Sequence, residues 1–372
     1  MEASELLALL VGLLLLTLTL WDIFQSVVVP RPTPARYRLS GWVIRLSWWV
    51  ARGLARRRQP SSRDPLLGIY GPAAAILMLV TWLVVLIWGF GLMLFGLGRE
   101  IDPPLTDLGT AVYFAAVSLL TLGFGDIVAH GLASRVLVGF AAATGLGVVA
   151  LVATFLFSLY GSYQRREREV IALQATAGAP PSAVKLLVTY ARLGLVDRLP
   201  DFFITWQRWA AEVLDSHLAY PLLGYFRSSH DNLSWISALG TVLDAAALVA
   251  TTIKGIPRGE AELCRRVGSH LVEDISSLGF VEGEAVALRR DEFDAAYRRL
   301  AAVGYDLEPA DRAWRRLEAA RGSYAAQLER MASYWATPAT SWLGTNARLS
   351  SPVHPEGRAD QVAPRDGSTT AE

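Results

Sequence analysis

Apolar and polar positions divide the chain before any motif is sought. Three long hydrophobic runs, over residues 6–29, 65–98 and 136–160, occupy much of the first 160 residues, with polar or helix-breaking residues between them. At 1.5 Å per residue, each is long enough to cross about 30 Å of hydrocarbon as a helix. The first opens LLALLVGLLLLTLTLW, for which a cleaved leader is the rival reading. Glu2 and Glu5 stand where a leader carries Lys or Arg, and no A-x-A site follows, so a membrane-spanning helix is expected. The third run is rich in Gly and Ala, residues that let membrane helices approach closely. Between the second and third runs, TAVYFAAVSLL at residues 110–120 is apolar but too short to cross, and reads as re-entrant.

From about Gln164 the pattern changes to amphipathic helical periodicity with little strand-like alternation, as in SAVKLLVTYARLGLVDRL and PADRAWRRLEAARGSYAAQLERMASYW. One run there, SWISALGTVLDAAALVATTI at residues 234–253, has the length of a fourth crossing. Its central Asp244 and several hydroxyls would be costly in lipid, so a helix buried in protein is expected. The fold class is therefore an all-α membrane protein: three transmembrane helices and a short re-entrant helix, followed by an all-helical cytoplasmic domain.

Composition agrees with that pattern, at 52% hydrophobic against 19% charged residues and a mean hydropathy of +0.33. The net charge of +1 conceals its distribution. Residues 31–63 carry nine arginines and no acid, and QRRER follows the third run, whereas Glu100, Asp102 and Asp107 face only Arg99 after the second. The basic segments belong inside. The implied topology has the N-terminus outside and the C-terminus cytoplasmic, in the plasma membrane. Within the basic segment, GWVIRLSWWVARGLARRR sets Trp42, Val43, Leu46, Trp49 and Val50 at helical spacing, with Arg45, Arg52 and Arg56 largely on another face. A helix lying in the headgroup layer and a plain positive-inside signal both account for it. The single cysteine, Cys264, excludes an intramolecular disulfide framework.

The re-entrant segment leads into LLTLGFGDIV, residues 119–128, where two glycines and an aspartate interrupt apolar sequence. Glycine is unfavourable in helix and strand alike, and irregular backbone at membrane depth is tolerated only where protein buries it or water lines it. Thr121, Leu122, Gly123, Phe124, Gly125 and Asp126 resemble the selectivity filter of the potassium-channel pore-domain family, in the variant with Phe in place of Tyr. The resemblance covers residues 74–163: outer helix, pore helix, filter and inner helix. It implies that four subunits present rings of carbonyls that replace the hydration shell of K+. The ion would be held along Thr121, Leu122, Gly123, Phe124 and Gly125, through the carbonyls of the first four, with Phe124 packed behind the filter. Asp126 and Tyr113 would anchor the outer mouth. Gly145 falls where the family's inner helix often hinges, although close helix packing explains Gly145 and Gly147 equally well. Leu146, Val149 and Ala153 would line the pore, and Leu156 and Arg135 fit pore-domain positions. Val117 and Leu120 depart from the family, which often has a polar brace there.

These readings divide the chain into an N-terminal transmembrane helix (1–30), a basic cytoplasmic or interfacial segment (31–64), a pore domain (65–163), a helical cytoplasmic domain (164–345) and a disordered tail (346–372). No arginine-rich voltage-sensing helix, G-x-G-x-x-G turn or nucleophile–base set is present, so an enzyme is not expected. His217, His230 and His270 lack metal-ligand spacing. No cofactor, no metal beyond transported K+ and no nucleic-acid partner are expected; the expected partners are three further copies, the bilayer and an unidentified regulator of the cytoplasmic domain. The function expected is passive, selective K+ conduction. A weakly selective cation channel and a membrane-anchored scaffold with a vestigial pore are the alternatives.

Overall fold

A computed structural model describes residues 3–29, 38–57, 60–230, 232–277 and 288–337. The tail from residue 346, and residues 1–2, 30–37 and 58–59 of the N-terminal region, lie outside the described residues. Three helices are long and apolar enough to cross a membrane, within Ala3–Val28, Pro65–Gly96 and Leu132–Ala177. They belong to α1 (Ala3–Ile23, extended by a π turn to Val28), α3 (Pro60–Gly96) and α5 (Leu132–Ala177). Between α1 and α3 lies α2 (Leu39–Arg56), and between α3 and α5 the short α4 (Leu108–Leu119). Strand pairing among the described residues is confined to a two-residue antiparallel ladder, β1 (Ile101–Asp102) with β2 (Val128–Ala129), and one isolated bridge between Ile253 and Leu307.

The first span packs along the outer helix, because small residues let the backbones meet. A Cβ on Gly12 would stand 2.5 Å from the Gly89 carbonyl oxygen, and one on Gly96 would stand 2.8 Å from that of Glu5. Arg99 closes the same end with an ion pair to Glu5 at 3.2 Å. At the other end, the Asp22 carboxylate is buried and serves as a joint. It accepts Trp82 Nε1–H at 2.7 Å and the Ser40 backbone N–H and hydroxyl at 3.1 and 3.0 Å, tying α1, α2 and α3 together. A buried charge needs such partners.

Helix α2 has two faces. Trp42, Leu46 and Trp49 are exposed, as an interfacial helix requires, and the Arg45 guanidinium lies over the Trp42 ring at 4.9 Å. Trp48 turns the other way: it is buried against Tyr70 and Tyr225 and donates to the Tyr334 carbonyl at 3.3 Å. The sequence pattern concealed that contact, because Trp48 sits beside a tryptophan that does face outward.

Beyond the membrane, α5 continues without a break to Ala177 and ends at Gly178, whose φ of +84° suits a helix stop. Its 46 residues span about 70 Å, so the boundary expected at 163/164 falls inside one rod. The helical domain that follows contains α6 (Ala183–Arg192), α7 (Leu199–Ala219), α8 (Trp235–Thr251), α9 (Gly259–Ser276), α10 (Arg290–Ala302), α11 (Ala310–Arg321) and α12 (Ala325–Tyr334). The α8 helix is buried on every side, packed by α6, α7, α9, α11 and α12. Its Asp244 Oδ1 accepts the Arg321 Nε–H at 2.9 Å and the Tyr324 hydroxyl at 2.6 Å. It is a core helix rather than a fourth crossing.

Candidate functional site

The pore helix α4 starts at a side-chain cap. Asp107 accepts the Thr110 N–H at 2.8 Å and its hydroxyl at 2.6 Å, and these bonds hold the Asp107 carboxyl below the usual carboxylate range. The chain leaves the end of the helix tethered to its last carbonyls: Thr121 N–H bonds the Ser118 carbonyl at 3.1 Å and Leu122 N–H bonds the Val117 carbonyl at 2.9 Å. Val117 thus holds the loop that follows through its backbone, although its side chain offers no brace.

From that tether the backbone alternates. Thr121, Gly123 and Gly125 have φ of +55°, +63° and +79°, while Leu122 and Phe124 between them do not enter that region. Successive residues of opposite twist turn their peptide planes so that the carbonyls share one side, the arrangement an ion-lining backbone requires. The glycines are needed for this conformation and not for room, since a Cβ on either would meet nothing within 4 Å. Thr121 adopts a left-handed conformation without glycine's freedom, and strain of that kind persists at sites where the surroundings impose it.

At the outer end the Tyr113 hydroxyl donates to Asp126 at 2.9 Å, so the two expected anchor residues meet. Among the described residues this is the side-chain bond from α4 to the loop that follows it; the Ser118 hydroxyl turns back to the Phe114 carbonyl instead. Phe124 does not pack behind the filter within its own chain, where it stands 65% exposed, and Leu122 is likewise exposed.

Outside the filter, Glu100 organises the return. Its carbonyl accepts the N–H groups of His130 and Gly131 at 2.9 and 3.2 Å, and its carboxylate accepts the Ser134 N–H at 3.2 Å at the start of α5. An acidic group there also complements the helix dipole. Arg135 donates to the Ala129 carbonyl at 3.2 Å. The sequence marked Glu100 as an outer charge; its capping role needed the β1–β2 pairing, which no sequence periodicity announces.

On the inner helix, the structure separates the two glycines. A Cβ on Gly145 would run into the Leu119 carbonyl, so this glycine lets α5 press against the end of α4, whereas a Cβ on Gly147 would meet nothing within 4 Å. No break in α5 occurs at either position. The hinge expected at Gly145 is therefore a packing contact in this conformation. Leu146, Val149 and Ala153 share an exposed face, but Leu156 is half-buried and lies off it. The position that continues the face is Phe157, 82% exposed, which the sequence reading missed.

Where α5 enters the helical domain, Arg166 is buried and fully occupied. It donates to the carbonyls of Leu223 and Phe226 at 3.0 and 2.7 Å, and to Glu167 Oε1 at 3.1 Å. His217 Nδ1–H donates to the Val213 carbonyl at 2.8 Å, leaving Nε2 to accept from Arg166 at 3.2 Å. Burial, reinforced by the Arg166 charge, pushes the His217 imidazole down to about 3, which fixes it as neutral. It is a core histidine, whereas His230 and His270 are exposed, beside Ser229 and Asp274.

Comparison with known proteins falls on the same segment. Residues 77–161 match the family described as ion channel. A cyclic nucleotide-gated potassium channel of Rhizobium etli is 33% identical over 99 residues, which cover 24% of this chain and 28% of that protein. The chain thus spans a little over a quarter of the length of the curated relative it matches. No solved structure matches it. The matched segment contains most of α3, all of α4, the Thr121–Gly125 loop and the first part of α5, and over these residues the chain is similar to ion-channel proteins.

Proposed function

We propose that four copies of this chain form a passive, K+-selective channel in the plasma membrane, with each copy giving one quarter of the filter. The chain is a channel protein and not an enzyme. The observation that carries the selective reading is the alternating backbone of Thr121–Gly125 on a tethered pore helix. A single loop supplies one carbonyl to each ring, and the exposed Leu122, Phe124 and inner-helix face call for neighbours around an axis. The N-terminus lies outside and the helical domain lies in the cytoplasm, supported by the arginines of residues 31–63 on one side and Glu100, Asp102 and Asp107 on the other.

Potassium flux from vesicles containing purified protein tests the reading. Flux abolished by Gly123→Ala supports it, and flux equal in the variant refutes it. A weakly selective cation pore is the second reading, favoured by the apolar Val117 and Leu120 behind the filter. A reversal potential that tracks the K+ gradient and ignores Na+ rejects this alternative.

A further inference from the structure

Helix α5 carries its pore-facing stripe past the membrane. The exposed face of Leu146, Val149, Ala153 and Phe157 continues through Tyr160, Gln164, Arg168, Ile171 and Ala175, at steps of three and four residues. Every one of these positions is exposed in the single chain, while Arg166, Val170, Leu173 and Ala177 on the opposite face are buried against the helical domain. The part beyond Phe157 is about 27 Å long at 1.5 Å per residue. A symmetry operation that gathers four filters around one axis gathers four such stripes around the same axis, because filter and stripe belong to one unbroken rod. Arg168 differs from its neighbour Arg166: the latter is buried and paired with Glu167, whereas Arg168 is exposed and forms no ion pair among the described residues.

We propose that residues 164–175 of α5 pack against the same segment of the neighbouring copies, forming a collar around the cytoplasmic ion path in which Arg168 supplies a ring of positive charge. This rests on the tetrameric-channel reading. The ring lowers the local cation concentration at the inner entrance, and therefore limits outward K+ current. Its reach is set by salt, from about 30 Å at 0.01 M to about 3 Å at 1 M ionic strength.

The test combines cross-linking with conductance on the full chain. The native Cys264 thiol is buried and pushed up to about 12, so it stays silent. Ile171→Cys, treated with copper-phenanthroline in air, is expected to give disulfide-linked dimers, whereas Leu263→Cys, exposed on α9 outside the stripe, is not. Arg168→Gln is expected to raise the outward unitary conductance about two-fold in about 0.02 M K+ and to change it little at about 1 M. A protein of tetramer mass that conducts K+, yet gives no Ile171→Cys dimers and no salt-dependent gain in Arg168→Gln, overturns the collar and leaves the channel reading standing. A protein that neither assembles nor conducts overturns the channel reading, and the collar with it.

Discussion

Replacing Gly145 with alanine separates packing from hinging, and the structure sets the size of the effect. The added Cβ would overlap the Leu119 carbonyl oxygen and lie 3.1 Å from the Leu119 Cγ. The obstructing atom is backbone, at the last residue of α4 and two residues before Thr121, so no rotamer change relieves it. Overpacking of this kind costs about 1–3 kcal/mol, and the better helix propensity of alanine offsets about 1 kcal/mol. The net expectation is a loss of about 0–2 kcal/mol per subunit. Gly147→Ala receives the same gain without the collision, since nothing lies within 4 Å of its added carbon. The two variants should therefore differ by roughly 1–3 kcal/mol per subunit in opposite directions from wild type. Thermal unfolding of the purified assembly, read beside K+ flux, measures both consequences. Gly145→Ala should melt lower and conduct less, because relief moves the residue that leads into the filter. If Gly145→Ala melts as high as Gly147→Ala with full flux, the packing argument is wrong.

Other expectations rest on single contacts. Tyr113→Phe removes the hydroxyl that holds Asp126 at 2.9 Å, so the current should decay faster during sustained opening; unchanged decay removes the anchor role. Trp82→Phe deletes the 2.7 Å bond to the buried Asp22 carboxylate and should lower stability by about 1–3 kcal/mol in thermal unfolding. Equal melting would mean that Ser40 alone satisfies the charge. His217 titrates near 6.5 when unfolded but only at about 3 when folded. Between those values the unfolded chain binds the extra proton, so stability is lost as pH falls through that window, by up to about 1.4 kcal/mol per unit. His217→Gln should flatten the fall in melting temperature between pH 7 and pH 5, and an unaltered slope assigns the pH dependence elsewhere.

Much of the membrane part was readable because its physics is local to the sequence. Hydrocarbon thickness fixes the length of an apolar run, and glycine marks backbone that other residues adopt rarely, so the three spans and the Thr121–Gly125 bend are visible as strings of letters. Tyr113 and Asp126, 13 residues apart, could be paired because the helix and loop between them were both foreseeable. What stayed hidden depends on distant partners. Trp48 and Trp49 are adjacent and chemically identical, yet one meets Tyr225 and the other faces outward. Gly145 and Gly147 differ only in what lies 26 residues upstream, at Leu119. The end of the inner helix was misplaced for another reason: apolar content stops near Tyr160, but helical backbone does not, since the amphipathic stretch that follows keeps the same rod buried on a protein face.

That rod decides how the helical domain can act on the pore. Five residues, Leu223 to Arg227, gather contacts from nearly every part of the molecule. Arg166 and Tyr163 of α5 bond the carbonyls of Leu223, Phe226 and Arg227. Tyr225 packs on Trp48 of α2 and Tyr70 of α3, at centroid distances of 5.2 and 5.4 Å. Gly71 of α3 lies so close to the Phe226 ring that an added Cβ would stand 2.7 Å from it. Arg227 in turn donates to the carbonyls of Trp335 and Ala336 after α12, at 3.0 and 2.7 Å. A flexible linker would allow the helical domain to move while the pore stayed still. Here the covalent link is helix, and the non-covalent links converge on the Leu223–Arg227 segment, whose carbonyls the buried Arg166 guanidinium cannot release without leaving N–H donors of a buried charge unsatisfied. Displacement of the helical domain must therefore carry the lower half of α5 with it, or else break the Arg166 node.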